Sequence, residues 1–361
     1  MKLYKYLLLI PPLFAIQSCS REVGEDPNAS AALTPRIAGV SLITRGGAGD
    51  ANAIRILGIY AVNKNAGETF YGTSPAGTSR KYTLNNGSAT PDGEALWLNQ
   101  EQAIIFSWHP VPAGVSVTSG GNGTALVPTI TIPASAIIPA QTISAAKADN
   151  LYDFALPSND YMYGVKYDNS QPTETDKYLS IQPVADNGHQ SATTPAVPPV
   201  GHEVSIGLKH AFAQVSFIIK KSDAYKGMAK VTKVTHTRQM PALKADNTTT
   251  MNLTDGALKS LADVAEVTYS YTFDNAVAPI LSTITQITLT NYVIPYGTTA
   301  KQSTLVVTVD GKEMTLLPYT DPVWTAGNIY TYTIIINPTG LTLDGFNITG
   351  WNDEQRPDVN V

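Results

Sequence analysis

The chain has 361 residues, a formal net charge of −5 at pH 7 and only 15% charged residues. A mildly acidic chain with scattered lysines offers no basic stripe for phosphates, which argues against a nucleic-acid partner. One cysteine cannot build a disulfide framework, so stability must come from buried apolar surface, and this length supplies enough for two domains.

Residues 1–18 read as a leader rather than as fold. Lys2 and Lys5 form a basic start, and the apolar stretch from Leu7 to Ile16 is broken by Pro11 and Pro12, too short and kinked to span a membrane. Ser18 then precedes Cys19, the lipobox arrangement in which signal peptidase cuts before a cysteine whose thiol carries a diacylglyceryl group. Cys19 is the expected lipidation site, anchoring the chain to a membrane, and 19–35 the expected flexible tether. Losing Lys2 and Lys5 with the leader makes the mature chain more acidic.

Next comes a short apolar run, 36–45, whose alternation predicts a strand with Ile37 and Ile43 on one face and Val40 and Leu42 on the other. It ends at Arg45, followed by Gly46, Gly47 and Gly49. The pair Gly47 and Gly49 is not a dinucleotide fingerprint. Asn52 stands where a third small residue is needed, and 54–62 alternates as a strand, so no helix N-terminus faces a phosphate. On the residues alone this stretch is either a flexible loop open to proteolysis or an ordinary turn after a permanent first strand.

Strand follows strand beyond this point. Segments 103–108, 204–208, 213–219, 283–290 and 329–336 alternate and favour Val, Ile, Thr and Tyr. Asn86-Gly87, Asp92-Gly93, Asp255-Gly256 and Asp310-Gly311 mark turns, the last joining 304–309 to 312–317 in the clearest hairpin of the chain. Only 257–265 reads as a brief helix. The polar, proline-rich stretch 190–201 predicts a boundary between an N-terminal domain, 46–200, and a C-terminal domain, 201–361. The expectation is an all-β protein of two β-sandwich domains in tandem.

Chemistry is sparse. His109, His189, His202, His210 and His236 show no metal-ligand spacing, and His202-Glu203 lacks the second histidine of a zincin helix. Gly114 to Thr118 lacks the second glycine of a nucleophile elbow. No calcium loop is visible. The sequence therefore implies no metal, no cofactor and no catalytic residue, although two facing carboxylates on a β-scaffold glycosidase would leave no local pattern. Tyr161, Tyr163, Tyr167, Trp97 and Trp108 could form sugar-stacking platforms; tyrosines alternating along strands, as at Tyr269 and Tyr271 or Tyr330 and Tyr332, are the simpler account.

Several features recur together: the lipobox at Cys19, the strand and arginine of 37–45, the run 206–217 read as one strand (IGLKHAFAQVSF), the segment 324–332 (WTAGNIYTY) and the closing ITGW of 348–351. As a set they resemble the fimbrillin family of Bacteroidales, the lipoprotein pilins of type V pili, in its Mfa-like branch. Glu22, Glu25 and Asp26 after the cysteine are similar to the signal that sends such lipoproteins to the cell surface. The resemblance implies transthyretin-like, Greek-key sandwich domains and no enzymatic activity. It also implies that an arginine-specific protease removes the first strand, so that a strand from a neighbouring pilin fills the groove by β-strand addition. Arg45 is then the processing site, with Arg36 a second, stiffened by Pro35. Ile37, Val40, Leu42 and Ile43 belong to the plug strand. Because 352–361 is polar and holds Pro357, a tip or accessory subunit that adheres to a host or bacterial receptor or glycan is expected ahead of a stalk subunit. The alternative is a glycan-binding surface lipoprotein of the outer membrane.

Overall fold

The computed structural model describes residues 29–40, 54–64, 79–85, 88–111, 117–118, 128–145, 152–156, 159–189, 198–296 and 301–350. Among these the fold is all-β, with one short 3-10 turn at Ala134–Ala136.

An eight-stranded sheet runs in the order Met162–Lys166, Glu203–His210, Thr34–Val40, Ser88–Pro91, Arg80–Asn85, Ile56–Asn63, Ala103–His109 and Val184–Ala185. It closes on itself, because Met162 is paired with His210 on one side and with His109 on the other. Period-two sequences explain the closure. Leu57, Ile59 and Ala61 point inward with Ile105, Val204, Ile206 and Leu208, while Tyr60 and Val62 point outward to a second apolar cluster. Gly58 matters here: a Cβ at that position would lie 2.2 Å from the buried Trp108 ring. The outer cluster is capped by a small sheet in the order Leu258–Lys259, Thr250–Asn252, Thr129–Thr131 and Val117–Thr118, which contributes Ile130 and Met251.

Segment 257–265 is not helical. Leu258–Lys259 pairs with Thr250 and Met251, and Ala265 already begins the strand Ala265–Phe273. The Asp255 carboxylate accepts the Ala257 N–H at 2.9 Å, and Gly256 and Ser260 have φ of +72° and +55°. Two left-handed residues in so short a stretch break a helix before it starts.

The C-terminal half holds two five-stranded sheets facing one core. One runs Ala140–Ile143, Ala265–Phe273, Val231–Met240, Lys301–Val309 and Lys312–Asp321. The other runs Tyr152–Ala155, Ile287–Val293, Ala213–Lys221, Asn328–Asn337 and Gly340–Gly350. Phe217, Tyr269, Tyr271, Trp324 and Tyr332 meet between them. Asp310 and Gly311, with φ of +49° and +78°, turn the expected hairpin between Lys301–Val309 and Lys312–Asp321.

Sheet membership does not change at residue 200. Glu203–His210 is a stave of the closed sheet, whereas Ala140–Ile143 and Tyr152–Ala155 pair in parallel with Ser270–Phe273 and Ile287–Thr290 of the C-terminal sheets. The run 206–217 is two strands, with a bend at Ala211 and Phe212 that passes the chain from one sheet system to the next. Proline-rich composition does not encode which strands its flanks will find.

Candidate functional site

The strand Thr34–Val40 is the most unusual stave of the closed sheet. On one flank it runs parallel to Glu203–His210, in register from Thr34 opposite Glu203 to Val40 opposite Leu208, with a shift between Ile206 and Gly207 that passes over Ala38. On the other flank, among the described residues, a single pair, Arg36 with Ser88, ties it to Ser88–Pro91. Leu33, Pro35 and Ile37 are buried while Arg36 and Ala38 are exposed. Leu33 and Ile37 sit in the inner cluster with Val204, Ile206 and Leu208. Arg36 Nη2 lies 3.3 Å from Glu203 Oε1, both side chains more than half exposed; an ion pair this wet contributes little.

The hold extends upstream of the strand. Ala31 and Ala32 pair antiparallel with Leu98 and Trp97. Leu33 N–H donates to Leu96 O at 2.8 Å and Thr34 N–H to His202 O at 2.9 Å. The Leu96 N–H in turn donates to Tyr82 Oη at 3.2 Å, and Tyr82 is a fully buried core residue. Burial raises its phenol pKa above the ordinary value, so the hydroxyl stays neutral at physiological pH. Furthest upstream, Asn187 Nδ2 donates to Ala29 O at 2.8 Å. The neighbouring Asp186, itself buried, accepts the N–H groups of Gly188, Val200 and Gly201, each at 2.8 Å. The expected tether is therefore sheet-bonded from Ala31 onward. Local sequence carries no signal for this, because Ala31 and Ala32 are apolar only weakly and their partners lie far along the chain.

Of the expected processing and plug residues, Ile37 is buried in the groove and Arg36 lies on its exposed rim. The Val40 backbone continues the ladder. Cys19, Leu42, Ile43 and Arg45 lie outside the described residues.

The aromatics split unevenly. Tyr161, Tyr163 and Trp108 are buried, as are Tyr269, Tyr271, Tyr330 and Tyr332, whereas Trp97 is 52% exposed. Burial pushes the Tyr161 and Tyr163 phenols up to about 12. His236 is wholly buried against Phe217 and Trp324, with ring centroids 4.8 and 5.8 Å away. Loss of solvent, aided by the Arg238 charge, lowers its pKa to about 3. His109 is also held below its ordinary value, chiefly by burial, with Nδ1 2.8 Å from Ile56 O. His210 Nδ1 lies 2.6 Å from Asp160 Oδ2. Among the described residues no three His, Cys, Asp or Glu side chains are grouped to hold a metal ion, and no helix is long and apolar enough to cross a membrane.

A family model described as fimbrillin-like matches residues 44–351. No curated protein matches. Among solved structures, a candidate cell adhesion protein from Bacteroides uniformis superimposes with a TM-score of 0.50 at 14% identity, covering 89% of this chain and 98% of that one. A second candidate cell adhesion protein, from Bacteroides ovatus, gives a TM-score of 0.53 at 12% identity, covering 90% of this chain and 99% of that one. At such identities the likeness speaks for the fold.

Proposed function

This chain belongs to the fimbrillin-like family, and on that premise we propose that it is a non-catalytic, surface-exported pilin subunit that assembles by strand exchange and supports adhesion. It reaches the outer membrane as a lipoprotein anchored through Cys19. A cut after Arg45 then severs the first strand from the body of the subunit, and a strand from another pilin subunit takes its place.

One observation carries this reading. Thr34–Val40 closes a sheet whose neighbours, Glu203–His210 and Ser88–Pro91, lie far from it in sequence. Withdrawing it leaves two sheet edges with unmet N–H and C=O groups above an apolar lining, which is the surface that strand addition recognises. The same geometry argues against a cut at Arg36. Arg36 is fixed in the ladder opposite Ser205 and Ser88, and a protease needs a backbone it can extend into its cleft.

The test is mass spectrometry of the mature N-terminus from the cell surface, lipid-modified peptides included. A chain starting at Gly46 is expected, with Arg45→Ala blocking the cut and Arg36→Ala leaving it intact. An uncut chain running from lipidated Cys19 through 37–44 and on past Arg45 would reject strand release. A glycan-binding lipoprotein is less well supported, because Tyr161, Tyr163 and Trp108 of the expected platform are buried, leaving half-buried Tyr167 and exposed Trp97.

A further inference from the structure

Cutting the chain after Arg45 breaks one covalent link and none of the contacts just described. The upstream end of the segment stays bound at Asn187, Leu98, Trp97 and Leu96. The strand itself stays paired along Glu203–His210 with Leu33 and Ile37 in the core. Among the described residues its two flanks are unequal: a ladder with one register shift on the Glu203–His210 side and a single pair, Arg36 with Ser88, on the other. Main-chain pairing and apolar burial of this extent are not undone by hydrolysing a peptide bond outside them.

We infer that the cleaved segment is retained as a non-covalent stave, and that it leaves only when an incoming extended strand displaces it, entering along the lightly paired Ser88–Pro91 seam. The inference rests on the proposed strand release and adds its regulation: proteolysis arms the subunit, and the partner strand triggers it. The seam gives the newcomer a place to start pairing before the old strand has let go. The groove also sets what the newcomer must look like. It runs parallel to Glu203–His210 and places apolar side chains at the alternate positions held by Leu33, Pro35 and Ile37. Near Gly207, where the register shifts, it must tolerate a break. A retained segment keeps the apolar lining covered between cutting and assembly, when an open groove would invite aggregation.

The test uses the full chain in detergent, cut in two ways. One sample is treated with an arginine-specific protease. In the second, residues 46–49 are replaced by the recognition site of an unrelated site-specific protease, so that a cut is obtained whether or not Arg45 is a substrate. Native mass spectrometry and size exclusion then ask whether the N-terminal fragment travels with the body. A labelled synthetic peptide of residues 29–44 serves as the displacing strand. Co-migration after cutting, with fragment loss that accelerates as peptide is added, is expected. Asn187→Leu should speed that loss several-fold. A body that sheds the fragment as fast as it is cut would overturn retention, and a loss rate independent of peptide concentration would overturn displacement. Resistance of Arg45 to the first protease, with retention and displacement in the second sample, would sink the processing reading and leave this inference standing.

Discussion

Ile37→Ala is the sharpest probe of whether the first strand is structural or ornamental. Ile37 is 7% exposed and packs in the inner cluster with Val204, Ile206 and Leu208. Truncation removes three carbons' worth of burial, about 2.4 kcal/mol at roughly 0.8 kcal/mol per methylene. The hole adds to this, since the closed sheet has no free side on which to collapse, and the total should reach about 3–4 kcal/mol. Ala38→Ser on the exposed face of the same strand is the control, expected within about 0.5 kcal/mol of the parent. Urea unfolding followed by pulsed hydrogen exchange, read on peptides covering Ala103–His109, reports this sheet without mixing in the C-terminal core. If Ile37→Ala lowers stability no more than Ala38→Ser does, the strand is not a stave of the sheet and the groove argument fails.

Gly58→Ala should cost at least about 2 kcal/mol, read as a drop in melting temperature, because the added methyl has only the immobile Trp108 ring to displace. His236 stays neutral in the fold while an unfolded histidine protonates near its ordinary 6.5, so the unfolded state binds more protons as pH falls from about 6.5 toward 3. Stability present above that window should therefore be lost through it, by up to ~1.4 kcal/mol per pH unit; His236→Phe should flatten the limb, and an unchanged slope in urea midpoints would refute the assignment. Partial burial works to raise the Asp310 pKa, but donors from Lys230 N–H, Tyr225 Oη and Ala229 N–H outweigh it and hold the carboxyl below its usual value. The stability it contributes is present above about pH 4 and lost below. Asp310→Asn, which still tolerates the positive φ, should cost about 1 kcal/mol at neutral pH and lessen the acid-side loss.

Strands and tight turns were readable because they are local. Alternation located Ala103–His109, Ala213–Lys221 and Asn328–Asn337 to within a residue or two, and Asp310-Gly311 specified its own turn. The segment expected at 283–290 forms its strand later, at Ile287–Val293, after Ser282 Oγ has accepted the Thr285 N–H in a turn. Pairing was not readable. Nothing in 140–155 says that it will join strands more than a hundred residues away, and nothing in Ala31–Ala32 announces Trp97–Leu98. The candidate site divides in the same way. The strand at Ile37 showed in its apolar alternation, but its place as the closing stave, its unequal flanks and the Asn187 anchor are properties of distant partners.

The long crossings also govern the order in which the molecule can come into being. The first strand has no extended ladder until Glu203–His210 has been synthesised, and Ala140–Ile143 and Tyr152–Ala155 wait for partners that begin at Ala265 and Ile287. Such contacts must meet the entropy of closing long loops before they return any energy, which makes folding slow and late. On the proposed route to the cell surface the chain therefore travels with its pairing incomplete. Any escort that keeps it from collapsing must act until nearly the whole sequence has emerged.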